Sequence, residues 1–268
     1  MENTDRLEKN FPKIHCPYER VHYEINKEDW MKYGTSLGLR SPKVYLAMPS
    51  KNCTHDMEWV WGEQSYAVEK LHGTNLCIDV KDGHLVHMQN RLNVHPFTQL
   101  IGNKQGLPLS GRFLEGIVDA ASRGYVENNK IQYGELIGPK LNGNIHKLDR
   151  HLWYPFERAK RHLRYSSFSK HPKEYWGWCE WFRTNLKSLL YCRLNEVKLS
   201  MMNSDPKVPF TEGIVIYKDG EEGQYPLMAK LRRDMFYWYY CDKIEIYGLD
   251  CFVDHARANG IKMKGYLD

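Results

Sequence analysis

Asn75-Leu76-Cys77-Ile78-Asp79-Val80-Lys81-Asp82-Gly83-His84-Leu85-Val86 sets the architecture of this chain. Leu76, Ile78 and Val80 alternate with Cys77, Asp79 and Lys81. That period of two puts successive side chains on opposite faces of a strand. Asp82-Gly83 interrupts the run, and Leu85 and Val86 resume it. An Asp-Gly pair between two such runs predicts a tight hairpin, because both turn positions take a positive φ. Antiparallel sheet is the starting point.

On the C-terminal side, Phe113, Leu114, Ile117, Val118 and Ala121 recur at helical spacing and stop before Gly124, a C-terminal cap. Ile131 to Ile137 reads as a short buried strand. From Glu180 to Val197, the residues Phe182, Leu186, Leu189, Leu190, Leu194 and Val197 predict one helix with a continuous apolar face. Ile214 to Tyr217 and Leu227 to Leu231 flank Gly220 and Gly223, which predicts a second antiparallel hairpin. On the N-terminal side, short apolar groups mix with Pro12, Pro17, Pro42 and Pro49, and a weakly periodic helix lies around Asp29 to Leu39. No internal repeat or low-complexity linker marks a boundary. The expectation is one α+β domain over residues 1–268, built on antiparallel sheets with flanking helices, with an extended N-terminal segment over about residues 1–65.

Composition narrows the partners. Lysines and arginines number 38 against 33 aspartates and glutamates, a net charge of +5 in 268 residues. A hydrophobic share of 42% with 26% charged residues fits a folded chain rather than a disordered one. The 18 tyrosines and 8 tryptophans suit a polyanion whose bases can be stacked. No stretch approaches the roughly 18 apolar residues that a membrane helix needs. Met1-Glu2-Asn3-Thr4-Asp5-Arg6 carries acids with no apolar core behind it, so no signal peptide and no membrane partner are expected. The 7 cysteines form no C-x-x-C pair, which argues against structural zinc and a disulfide framework. A reducing compartment, cytoplasmic or nuclear, follows.

The chemistry centres on Glu69-Lys70-Leu71-His72-Gly73-Thr74-Asn75, between two predicted strands. A lysine at such a junction, followed three residues later by glycine, lets the backbone turn so that the amine faces a pocket. An amine attacks phosphorus only when unprotonated, so nearby cations, a metal or desolvation must pull its pKa down. Taken alone, the segment fits a surface lysine beside a turn equally well.

Lys70-Leu71-His72-Gly73-Thr74-Asn75 resembles the nucleotidyl-acceptor motif of covalent nucleotidyltransferases, the superfamily of ATP-dependent polynucleotide ligases and mRNA capping enzymes. Most members carry aspartate at the third position. Histidine there, followed by Thr-Asn, is similar to the phage RNA ligase 2 family and its RNA-editing relatives. Other fragments follow in the family's order. Asn90-Arg91-Leu92 matches the arginine that reads the adenylate and the RNA end, and Tyr133-Gly134-Glu135-Leu136-Ile137-Gly138-Pro139 resembles the third motif. Leu152-Trp153-Tyr154-Pro155-Phe156-Glu157 aligns with the motif whose ring stacks on adenine. Trp153 and Tyr154 beside Phe156 leave the register of that ring open. Glu212-Gly213-Ile214-Val215-Ile216 resembles the fourth motif, and Ala229-Lys230-Leu231-Arg232 stands where the last has Lys-x-Lys.

The resemblance implies a nucleotidyltransferase (ATP-grasp-like ligase) domain and an ATP-dependent RNA ligase. In that family's terms Lys70 attacks the α-phosphate of ATP and carries AMP, while Lys230 and Arg232 hold phosphate oxygens. Glu135 and Glu212 serve ribose hydroxyls and a magnesium or manganese ion. Phe156 supplies the adenine-stacking face, Glu69 accepts from the adenine amino group, and Arg91 binds the RNA 5′-phosphate or adjacent sugar. His72 and Asn75 orient phosphate or ribose. The chain departs from the family at Glu157, where aspartate is usual, and at Arg232, where a point charge becomes a fork. A stretch over residues 147–187 interleaves Arg150, Arg158, Lys160, Arg161, Arg164, Lys170 and Lys173 with Trp153, Tyr154, Tyr165, Phe168, Tyr175 and Trp176. It reads either as an RNA-contacting surface, with Arg158, Lys160, Arg161 and Arg164 on phosphates, or as a solvated helix face over buried rings. The expected partner is RNA with 5′-phosphate and 3′-hydroxyl ends, as a nicked or bridged duplex. Few residues follow Lys230, so no separate C-terminal OB or helical domain is expected, and grip on a nick is expected to need either a protein partner or the chain's own longer N-terminus. The alternatives are another covalent nucleotidyltransferase (a DNA ligase or capping guanylyltransferase) and a non-catalytic RNA-binding protein of the same fold.

Overall fold

The computed structural model describes residues 11–36, 39, 41–48, 57–90, 94, 109–168, 175–220 and 226–240. In chain order its elements are β1 (Arg20–Glu24), α1 (Lys27–Tyr33), β2 (Lys43–Ala47), β3 (Ser65–Lys70), β4 (Thr74–Lys81), β5 (His84–Asn90), α2 (Leu109–Ser122), β6 (Lys130–Ile137), β7 (Leu152–Pro155), α3 (Phe156–His162), α4 (Tyr175–Thr184), α5 (Leu189–Leu194), β8 (Gly213–Lys218) and β9 (Leu227–Arg232). Short 3-10 turns occur besides these. The architecture is α+β, with antiparallel pairing in every named sheet. The chain divides into two units, each assembled from separate segments. One comprises residues 1–13, 71–164 and 188–211, the other residues 14–70, 165–187 and 212–268.

The first unit is organised by the predicted hairpin. Asp82 and Gly83 take φ values of 49° and 78°, the left-handed region that an Asp-Gly turn supplies. The turn joins β4 to β5 in a four-stranded sheet of order β5-β4-β6-β7. Leu76, Ile78, Met88, Leu136 and Trp153 are buried on one face of this sheet, whose β6 and β7 strands carry α2. At Gly116 of α2 a Cβ would lie 2.3 Å from Leu136 Cδ1, so the helix backbone approaches the sheet closely. α2 ends where predicted, with Gly124 at φ 67° and Tyr125 N–H reaching back to the carbonyl of Ala120. On the other face lie Asn75, Cys77, Asp79, His87, Gln89, Tyr133 and Glu135. Leu76 through Val80 are all buried, so the alternation in β4 separates an apolar face from a polar face rather than inside from outside. Burial pushes the Cys77 thiol up to about 12.

In the second unit, β8 is the centre of a three-stranded sheet, β3-β8-β9, and β1 pairs with β2. α1 is shorter than the expected helix and starts at Asn26, whose side chain accepts from Glu28 N–H at 2.8 Å. β8 and β9 form the second antiparallel pair predicted from Ile214 and Leu227 onward. Much of the aromatic excess forms this unit's core. Trp178 stacks on Trp61 at 4.7 Å, and Trp181, Phe182, Phe236 and Tyr175 are buried around them. Such rings each bury about 150–250 Å² and prefer the edge-on contacts seen here.

One predicted element is corrected. The apolar series from Phe182 to Val197 is not one helix. α4 stops at Thr184, and α5 starts at Leu189 in the other unit. Ser188 enforces the break: its backbone N–H donates to Pro209 O at 2.8 Å, and its hydroxyl accepts from Tyr191 N–H at 3.0 Å as the N-cap of α5. A cap residue has extended rather than helical backbone, here φ −72° and ψ 113°. The apolar spacing happened to stay in phase across the interruption.

Candidate active site

In the second unit, Lys70 ends β3 and faces Gly213 of β8, which faces Arg232 of β9. Residues in one cross-strand row share a face, so Lys70 and Arg232 project to the same side. Lys230, two residues before Arg232 on β9, joins that side. Gly213 leaves the middle of the row bare, and a Cβ there would lie 2.1 Å from Leu231 O. Glu212 sits at the start of β8, its backbone carbonyl accepting from Arg233 N–H at 2.9 Å. Its carboxylate receives the Lys70 ammonium, Nζ to Oε2, at 2.6 Å. The Arg232 Nη1 stands 3.8 Å from the other oxygen, Oε1, and Arg232 Nε lies 3.0 Å from Asp234 Oδ1. Side chains from three motifs, joined by Asp234, thus meet as two cations and two acids. Desolvation holds the Asp234 carboxyl above its ordinary range, with Glu212 adding to the rise and Arg232 and Lys70 opposing it. In this state Lys70 is a paired ammonium. Nucleophilic attack by its amine requires the proton to leave and the pair to open.

Glu69 is placed differently. It is buried at 2% exposure and pairs with Ile214, so the pleat sends it to the opposite face of the sheet from Lys70.

In the first unit, His72 and Gly73 form the turn that leads into β4. Gly73 N–H donates to Glu135 Oε1 at 3.1 Å, and His72 N–H donates to His146 Nε2 at 3.4 Å. The Gly73 carbonyl accepts from Asn142 Nδ2. Glycine is required at 73, because a Cβ would fall 1.9 Å from Leu136 O. Asn75, Glu135 and Tyr154 make one cross-strand row. Trp153 and Tyr154 are buried at 0% and 2%, whereas Phe156 at the start of α3 remains partly exposed. Of the three candidate rings, only Phe156 is placed to offer a face. Phe11 packs on it at 4.6 Å and tilted by 48°, and also meets Tyr133 at 5.7 Å. Tyr154 is pushed up to about 12, by burial against the opposing charge of Arg158.

The basic stretch resolves into charges and core. Arg161 and Arg164 are exposed on and just beyond α3, Lys160 pairs with Glu157, and Arg158 stacks over Tyr125 at 3.8 Å. Desolvation lowers the pKa of His162, and Arg158, Arg193 and Arg161 lower it further. Tyr165, Phe168 and Tyr175 are buried, so these rings do not form a stacking surface. Arg91, Lys170 and Lys173 lie outside the described residues, as does the side chain of Trp176.

Asp234, Asn142, His146 and Phe11 were not anticipated. The charged run Lys230-Leu231-Arg232-Arg233-Asp234 could have flagged the first. An isolated histidine in a loop carries no such signal. Among the described residues, no group of three or more His, Cys, Asp or Glu side chains converges as a metal cage. Magnesium needs none where a substrate's phosphates supply oxygens, since one or two carboxylates suffice. Among the described residues no helix is long and apolar enough to cross a membrane, and the described cysteines Cys16, Cys77, Cys179 and Cys192 are free and buried.

No protein-family model and no curated protein matches the sequence. Among solved structures it is similar to Naegleria gruberi RNA ligase with pyrophosphate, at 17% identity and a TM-score of 0.33 over 67% of this chain and 52% of that one. A mutant of that ligase with ATP and manganese matches at 15% identity and a TM-score of 0.30, over 62% of this chain and 50% of that one. A mutant apo form matches at 14% and 0.33, over 87% and 64% respectively. The chain spans about half the length of the first solved structures it matches.

Proposed function

We propose that this chain is an ATP-dependent RNA ligase of the phage RNA ligase 2 type, built on a nucleotidyltransferase domain and working through a lysyl-AMP intermediate on Lys70. The observation that supports this most is the meeting of Lys70, Glu212 and Arg232. Lys70 and Glu212 are 142 positions apart in sequence, come from different motifs of the resemblance, and pair at 2.6 Å.

In the first step the deprotonated Nζ of Lys70 attacks the α-phosphorus of ATP. The new N–P bond replaces the bond to pyrophosphate, which leaves, and the proton of Lys70 goes to solvent. Arg232 and Lys230 stabilise the charge that develops on the phosphate oxygens. Glu212 releases its hold on Lys70; Glu212 and Glu135 are each residues that would offer a hard oxygen to magnesium or manganese, which would supply charge neutralisation at the triphosphate. Phe156 stacks on adenine, and His72 and Asn75 orient phosphate or ribose. Next, an oxygen of the RNA 5′-phosphate displaces Lys70 from AMP. Finally the RNA 3′-hydroxyl attacks that 5′-phosphate and AMP departs. Arg91 and the basic residues Arg158, Lys160, Arg161 and Arg164 are proposed to hold the RNA, as a nicked or bridged duplex. A protein partner would supply further grip.

The test is incubation with α-labelled ATP and a divalent cation, then transfer to a 5′-phosphorylated nicked duplex. Acid-resistant label on the protein, its absence in Lys70→Ala, and its passage to RNA are expected. Equal labelling of Lys70→Ala removes that residue from its role. Preference for GTP points to a capping enzyme, and RNA binding without any labelling points to a non-catalytic relative.

A further inference from the structure

We infer that His146 and Asn142 are positioning residues for the turn that follows Lys70, a role that no motif of the resemblance assigns to either. The inference rests on the ligase reading for its catalytic consequence, but not for its geometry. Consecutive backbone groups of the turn are held by side chains from one stretch of chain. His72 N–H is held by His146 at 3.4 Å, Gly73 N–H by Glu135 at 3.1 Å, and the Gly73 carbonyl by Asn142. The turn's course is therefore dictated from outside.

His146 is itself fixed. It is 1% exposed, and its Nδ1 lies 3.2 Å from Ser188 Oγ. Because Nε2 accepts from His72 N–H, the proton of the neutral ring must sit on Nδ1 and be donated to Ser188. The same hydroxyl oxygen accepts from Tyr191 N–H at 3.0 Å. The Ser188 hydroxyl thus meets both His146 Nδ1 and Tyr191 N–H, which ties the ring that holds the His72 amide to the N-cap of α5. Asn142 reaches the turn from a segment in which Asn142, Gly143 and Asn144 have φ values of 41°, 79° and 45°. Asparagine and glycine adopt that left-handed backbone with little cost.

Placement of a nucleophile's surroundings matters steeply, since a misplacement of about 1 Å can cost about 10²-fold in rate. His146→Leu fills a similar volume but cannot accept the His72 amide. His146→Gln restores an acceptor and a donor at similar reach. Asn142→Ala removes an exposed side chain and serves where the Leu variant folds poorly.

Residue-resolved amide exchange provides a readout that needs no catalysis. The expected result is faster exchange at His72 in His146→Leu and at neighbouring amides of the turn in Asn142→Ala, with the amides of β4 unchanged. The labelling rate at saturating ATP should fall about 10–100-fold in His146→Leu, with the apparent KM for ATP nearly constant and with substantial recovery in His146→Gln. Unchanged exchange at His72 overturns the inference. So does faster exchange with an undiminished labelling rate, which would make the contact structural only. If the unmodified protein takes no label, the ligase reading fails, and exchange alone then decides whether His146 holds the turn.

Discussion

The Lys70–Glu212–Arg232–Asp234 group and the His72–Gly73–Glu135 turn are neighbours in sequence at Lys70 and Leu71, yet they are held by different physics. The first is a set of charged side chains at and just beyond the ends of strands, paired at 2.6 Å to 3.8 Å and partly open to solvent. Its contacts can be exchanged for those of an incoming anion, because the cations lose one negative partner and gain another. The second is a backbone turn pressed against β6 and pinned at its amides and carbonyl, mostly by uncharged groups. One kind of region can follow a moving charge, and the other can only stay in place.

Substitutions should separate the two. The largest effect is expected from Lys70→Arg. The guanidinium keeps the charge and can still pair with Glu212, but it is not a nucleophile, so covalent labelling should vanish while the melting temperature barely moves. Residual labelling would show that the acceptor lies elsewhere. Gly73→Ala should act in the opposite way, through stability. Its Cβ meets Leu136 O, a backbone atom that cannot swing aside, and overpacking of this kind costs about 1–3 kcal/mol. A thermal melt should register roughly 2–4 °C for each kcal/mol. An unshifted melt would mean that the turn is looser than described.

A further effect is alkaline. Cys77 and Tyr154 both lie in the unit that contains the turn, each with its pKa pushed up to about 12 by burial. In the unfolded chain these groups ionise near their ordinary values, about 8.5 and 10. The folded state therefore holds more protons across the interval up to about 12, and stability falls as pH rises through it. The melting temperature should decline above about pH 8.5. A melting temperature that holds steady to pH 11 would contradict the burial of both groups.

The sequence disclosed local structure wherever a turn residue or a single period controlled it. Asp82-Gly83 and Gly124 marked a hairpin and a helix end because positive φ is a residue-specific demand. The series from Phe182 to Val197 misled because periodicity is blind to a cap. Ser188 looks like any polar residue on a helix until Pro209, distant in sequence, takes its N–H. The same division runs through the candidate site. Lys70, Glu212 and Arg232 were legible from a resemblance, and Glu69 stood beside them in sequence but belongs to the other face of the sheet. His146 and Asn142 were illegible because their partners are backbone groups of another loop, which carry no residue code.

The bare row at Gly213 has a consequence for how this chain can vary. Strands in a sheet lie about 4.7–4.9 Å apart, so β3 and β9 stand roughly 10 Å from each other with only main chain between them. Lys70 and Arg232 are the banks of that shallow trough, and either can exchange charge, length or shape over evolutionary time and still leave a folded sheet. Position 213 has no such latitude. Adding one carbon there places it 2.1 Å from the carbonyl oxygen of Leu231. The residue that contributes no side chain at all is therefore the one in this row whose replacement the sheet itself can least accommodate.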